Sequence, residues 1–201
     1  MPIGAIDIRV QHQAVYLEKM SLEYEQKLDF LLTEIIQTEQ TYVEDLEVII
    51  YDYMRPAEEE GIGCRSIKNE DFVKTVFSNI EDVHYFAFYL AEQLEEWSPN
   101  VGQCFVNLKP EFDVYIEYCT NFKVALEYLE KARKRHSEVD EWLSEQQKAS
   151  GKALGLETYL LKPLQRLLKY PLLLKQLLKY VSHSSSDYAA IASAHADIQA
   201  C

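Results

Sequence analysis

The stretch LETYLLKPLQRLLKYPLLLKQLLKYV, residues 156–181, decides the fold, and 11 of its 26 residues are leucine. Leu156, Tyr159, Leu160, Pro163, Leu164, Leu167, Leu168, Pro171, Leu174, Leu177, Leu178 and Val181 follow one another at steps of three and four. That spacing lays them along one stripe of an α-helix. The opposite face carries Lys162, Gln165, Arg166, Lys169, Lys175 and Lys179, with Glu157 its one acid. The stretch therefore has a net charge of +4 inside a chain of net charge −13. Such a face is either a solvated surface on a core helix or a site for a partner. Pro163 and Pro171 fall inside the pattern, and each removes a backbone hydrogen bond. Because the apolar stripe keeps its phase across both, the spacing predicts one helix bent at its prolines rather than two short helices.

Outward from this stretch, helical periodicity continues. The chain has 201 residues with six Gly and six Pro, and long segments hold a helical period. No convincing alternation of apolar and polar residues occurs, so the class is all-α. A chain of this length buries about 70% of its unfolded surface and folds without disulfides or metal. The net charge of −13 speaks against nucleic acid or an anionic membrane as the main partner. Cys64, Cys104, Cys119 and Cys201 form no CxxC pair and read as reduced thiols of a cytosolic protein. No apolar run approaches a membrane span.

Residues 1–16 hold no clear period and are read as an N-terminal extension, either disordered or leading into the first helix. From Leu17, apolar residues at helical spacing run through Leu28, Ile35, Tyr42, Leu46 and Ile49 to Tyr53. A long helix is expected to end near Pro56, since the residue before a proline is pushed out of the α region. Glu39 breaks its stripe. Ile35 and Ile36 lie one turn before it, and Tyr42 and Val43 one turn after. A carboxylate there must be satisfied inside the domain or held at the surface for a partner. A linker follows over residues 57–69. Further helices are expected from about Asn69 to Trp97, from about Val106 with a reset at Pro110, over Val139 to Gln146, and from about Asp187 onward. The basic cluster at 131–136 sits at a helix end, where it complements the helix dipole.

Several chemistries have no motif. Gly151-Lys152 is followed by Ala153, and the glycine of a GxxxxGK(S/T) loop is missing at Gln146. The five histidines show no metal-ligand spacing with cysteine or acid. No GxSxG elbow or Cys–His nucleophile motif occurs.

Three segments carry a family resemblance. LLKPLQRLLKYPLLL, residues 160–174, resembles the third conserved region of Dbl-homology (DH) domains. TEQTYVEDL, residues 38–46, is similar to the first, with its TExxYVxxL pattern. Phe77, Asn79 and Ile80 look like the shorter second region. DH domains are exchange modules acting on Rho-family GTPases. The resemblance implies an elongated bundle of about six helices over residues 17–201, and two departures from the family pattern are expected: the end of the final helix is missing and no pleckstrin-homology domain is present. It implies that Glu39 engages switch I of the GTPase, that Gln165 and Lys169 engage switch II, and that the nucleotide-free GTPase is stabilised. Arg166 belongs to the same matched surface, and Leu161 and Glu157 are weaker candidates for contacts that select among GTPases. No cofactor, nucleic acid or membrane insertion is implied. The expected setting is the cytoplasm, with regulation of the actin cytoskeleton and recruitment to the plasma membrane by regions outside this chain. The alternative is a helical scaffold or adaptor without exchange activity, which shares the core residues but has no need of an acid at Glu39 and a base at Lys169.

Overall fold

The computed structural model describes residues 4–200, and among these there is no strand. The first helix, α1 (Gly4–Ile49), would span roughly 69 Å at 1.5 Å per residue. It includes residues 4–16 without a break. A π-turn (Ile50–Met54) follows, and α2 (Arg55–Glu59) continues from it. The expected stop before Pro56 is therefore corrected. Arg55 keeps α angles, φ −60° and ψ −47°, and its N–H bonds the carbonyl of Ile50, five residues back. The widened turn moves away the carbonyl that the proline ring would crowd, so the helical path passes through Pro56. The path ends at Gly61, whose φ of +82° suits a residue without Cβ. A Cβ there would also lie 2.4 Å from Asn69 Nδ2.

The segment read as one helix over 69–97 is two, α3 (Asn69–Phe77) and α4 (Ile80–Trp97). The break at Ser78 and Asn79 is held by α6 (Val114–Arg135). Asn79 Nδ2 donates to the carbonyl of Val114 at 3.0 Å, and Asn121 Nδ2 donates to Ser78 Oγ at 2.9 Å. Between them in sequence lie α5 (Val101–Asn107), which starts earlier than expected, and a 3-10 turn (Lys109–Asp113) that contains Pro110. Beyond α6 come α7 (Ser137–Ser150), α8 (Leu156–Leu160), α9 (Lys162–Leu177) and α10 (Ser186–Ala200).

The single bent helix expected over 156–181 is thus divided at Leu161. Pro163 lies in the first turn of α9, where its absent N–H would have had no helical partner anyway. Pro171 lies within α9, and the helix passes through it.

In the packed molecule α1 lies against α4 and α9, while α10 lies against α5 and α9. The center is aromatic. The Tyr170 ring sits 5.7 Å from Phe105 and 5.5 Å from Phe112, and Phe86 is 4.8 Å from Phe112, all nearer edge-to-face than parallel. Ile35, Leu46 and Ile49 of α1 and Leu174 and Leu177 of α9 are fully buried. Each such side chain is worth about 1.5–3 kcal/mol in burial. That is ample to offset the one interior proline at about 3 kcal/mol.

Candidate functional site at the seam of α1 and α9

Two elements build this site. α1 brings Thr38, Glu39, Thr41, Tyr42 and Asp45, and α9 brings Lys162, Gln165, Arg166, Lys169 and Tyr170. The helical period places Glu39 one turn after Ile35 and one turn before Tyr42, on the face that packs inward. Glu39 is 0% exposed and Arg166 is also buried.

Inside the seam these two residues meet. Arg166 Nε and Nη2 donate to Glu39 Oε2 at 2.9 and 2.6 Å. The Tyr170 hydroxyl donates to Glu39 Oε1 at 2.8 Å. Arg166 Nη1 donates to Thr38 Oγ1 at 2.9 Å, and Nη2 also reaches the carbonyl of Ile35 at 3.4 Å. The guanidinium carbon lies 4.9 Å from the center of the Tyr170 ring. Tyr115 donates its hydroxyl to that of Tyr42 at 3.2 Å. Both guanidinium N–H groups thus converge on Oε2 while Tyr170 fills Oε1, so each carboxylate oxygen has a donor, which makes the buried ion pair tolerable.

Burial pushes the Glu39 carboxyl above its usual range, and the Arg166 charge and the hydrogen bonds from Arg166 and Tyr170 offset part of that. Burial likewise pushes the Tyr170 hydroxyl up, and the Glu39 charge pushes it further. Tyr170 therefore stays a proton donor to Glu39 across the physiological range.

The expectation that Arg166 lies on the polar, outward face of the helix is corrected, and so is the option of Glu39 held at the surface. The inward face of α9 is Pro163, Arg166, Tyr170, Leu173, Leu174 and Leu177. Leu168 and Leu172, one of them counted in the apolar stripe, are 72% and 62% exposed. The physical reason is that α9 is packed by α1, α10 and α6, and a leucine count cannot tell which of its sides they cover. Arg166 and Tyr170 point inward because Glu39 offers their polar ends a partner.

Outside the buried pair runs a shallow cleft. Gln165 and Lys169 line it from α9 with Thr41 and Asp45 from α1, and Gln165, Lys169 and Thr41 are exposed. Lys162 Nζ closes one end on Asp45 Oδ2 at 3.0 Å. Leu161 sits half-buried at the α8–α9 break. Glu157 is drawn elsewhere, to Arg133 at the end of α6, which also holds Asp140 of α7 at 2.6 Å. Within the basic helix end, Arg133 thus ties α6 to α7 and α8. Of the six residues singled out, then, Gln165 and Lys169 share the cleft, Glu39 and Arg166 lie beneath it, and Leu161 and Glu157 belong to α8 and its junctions.

Sequence reasoning missed Tyr170, Thr38, Asp45 and the two exposed leucines. A signal for Tyr170 was present, since it lies four residues after Arg166 and so shares its face.

Comparison with known proteins bears on this seam. A family model described as the RhoGEF domain matches residues 31–201. Pleckstrin homology domain-containing family G member 2 of Homo sapiens is 38% identical over 156 residues, covering 77% of this chain and 11% of that protein. Phosphatidylinositol 3,4,5-trisphosphate-dependent Rac exchanger 2 of Homo sapiens is 35% identical over 179 residues, covering 82% of this chain and 11% of that protein. The chain thus spans about a tenth of the length of these relatives. A solved structure of the Vav1 exchange factor superposes with a TM-score of 0.77 at 27% identity, over 88% of this chain and 47% of that one. The match at 31–201 takes in both sides of the α1–α9 seam, and with it the chain belongs to the RhoGEF domain family.

Proposed function

We propose that this domain is a guanine nucleotide exchange factor for a Rho-family GTPase, acting in the cytoplasm. It binds the GTPase through switch I and switch II and promotes GDP release by stabilising the nucleotide-free state. No covalent bond is made or broken. The catalysis is differential binding, in which each tenfold gain in release needs about 1.4 kcal/mol in favour of the empty GTPase. Among the described residues no helix is long and apolar enough to cross a membrane.

The observation that carries this reading is the outer face of α9. Gln165 and Lys169 stand exposed beside Leu168 and Leu172. A pair of open leucines next to an exposed cation and an amide has no folding purpose and suits a protein partner. The names of the Rac exchanger relative and the Vav1 exchange factor support the partner class.

The roles divide by depth. Lys169 and Gln165 contact the GTPase directly. Glu39 and Arg166 act as positioning residues that fix α1 against α9. Direct engagement of switch I by Glu39 requires its bonds to Arg166 and Tyr170 to open.

Release of fluorescent GDP from a panel of Rho-family GTPases tests this. Lys169→Ala should lose exchange while keeping the thermal midpoint of the parent. Glu39→Ala should lose exchange together with stability. Full exchange in Lys169→Ala overturns the assignment of contacts. No exchange by the unaltered domain on any panel member overturns the function in favour of a helical scaffold.

A further inference from the structure

The linker after α2 folds back onto the joint between α6 and α7, and this joins residues far apart in the chain. Cys64 of the linker, His136 at the joint and Glu138 in the first turn of α7 converge. Their Sγ, imidazole nitrogen and carboxylate oxygen all lie within 4.8 Å of one another. Among the described residues this is the one group of three cysteine, histidine or acidic side chains so placed. None of the three side chains makes a hydrogen bond or ion pair among the described residues. The backbone of His136 is fully used: its N–H bonds the carbonyl of Ala132 at 3.0 Å and its carbonyl accepts from Val139 at 3.2 Å. Only its imidazole remains available.

We propose that Cys64, His136 and Glu138 form a binding site for a zinc-class divalent ion. A thiolate, an imidazole and a carboxylate are the ligand types of zinc, and the sulfur disfavours magnesium and calcium. In a tetrahedral site with bonds of about 2.0–2.3 Å, neighbouring ligand atoms stand about 3.3–3.5 Å apart. The present cluster reaches that by side-chain rotations closing up to about 1.5 Å.

Cys64 is buried, His136 half-buried and Glu138 exposed, so the ion is reached from the Glu138 side. Solvent on that side supplies water to the fourth position. Binding ionises the Cys64 thiol and releases its proton to solvent. The ion ties the linker to the α6–α7 joint, and none of its ligands lines the cleft between α1 and α9. Sequence spacing alone hides the site, because the thiol and the imidazole come from separate segments.

Co²⁺ titrated into the 201-residue chain, with thiols kept reduced by a phosphine, provides the test. The expected result is a thiolate-to-cobalt charge-transfer band with tetrahedral visible bands, saturating at one ion per chain and displaced by Zn²⁺. Cys64→Ser should abolish the charge-transfer band. Glu138→Gln changes an exposed residue and keeps the fold, and it should weaken Co²⁺ binding by more than about tenfold. Zn²⁺ should raise the thermal midpoint of the parent chain and leave that of Glu138→Gln nearly unmoved. Absence of the band in the parent overturns the site. So does a band that Cys64→Ser retains, since another thiol would then hold the metal, or a Co²⁺ affinity and a Zn²⁺-dependent midpoint that Glu138→Gln leaves unchanged, since Glu138 would then be no ligand.

Discussion

Arg166 and Arg133 do similar chemistry in opposite surroundings. Each binds carboxylates from other helices, Arg166 holding Glu39 and Arg133 holding Asp140 and Glu157. Arg166 and Glu39 have side chains 4% and 0% exposed, whereas those of Arg133 and Glu157 are 41% and 40% exposed. In the first cluster every partner that water would have supplied must come from the protein: Thr38, Tyr170 and the carbonyl of Ile35. In the second, water can replace any partner that leaves. The lesson is that removing one member costs very different amounts in the two places, although the sequence shows an arginine and an acid in both.

The largest effect is expected for Arg166→Ala. It strands the Glu39 carboxylate without a countercharge and should lower unfolding free energy by about 3–5 kcal/mol in urea titration. A loss below about 1 kcal/mol would place the pair with surface ion pairs and erase the distinction. Replacing both partners, as Glu39→Leu with Arg166→Met, should cost less than Arg166→Ala alone, because no unpaired charge is left behind.

Next in size is Tyr170→Phe. The ring stays in the aromatic center, and only the hydroxyl donated to Glu39 Oε1 is lost. The expected cost is about 1–3 kcal/mol, read by the same titration. On the exposed side, Glu157→Gln should cost under about 1 kcal/mol and less still at high salt. The smallest effect is expected at Tyr53→Phe. The Tyr53 hydroxyl is buried and finds no hydrogen-bond partner among the described residues. Its removal should be neutral or stabilise by up to about 1 kcal/mol, as seen in thermal unfolding. It is the counterexample that sharpens the rule: burial alone does not make a polar group important, but satisfied burial does.

Much of this was legible in the sequence, for reasons that differ by residue. The helical class, the long first helix and the leucine-rich helix follow from periodicity, which depends on neighbours three and four apart. The breaks at Leu161 and at Ser78 were not legible. The second is imposed by Asn121 and the carbonyl of Val114, which are distant in the chain. Passage through Pro56 was hidden too, because a π-turn has no spacing of its own. At the seam, Glu39 stood out as an acid on an apolar face, and the two outcomes open to it were paired burial or surface display. The sequence could not choose between them, since the choice rests on Arg166 and Tyr170 arriving from another helix. Gln165 and Lys169 were found as neighbours on a polar face. The exposed Leu168 was missed because it was counted as core, and Leu172 was assigned to neither face.

The Glu39–Arg166 pair also sets an order of events during synthesis. Its two members are 127 residues apart. At about 5–20 residues per second, a nascent chain displays that carboxylate for roughly 6–25 seconds before its guanidinium is even made. Throughout that interval α1 can neither bury its acid nor settle against α9. α1 must therefore wait, hydrated and unfinished, until α9 has left the ribosome.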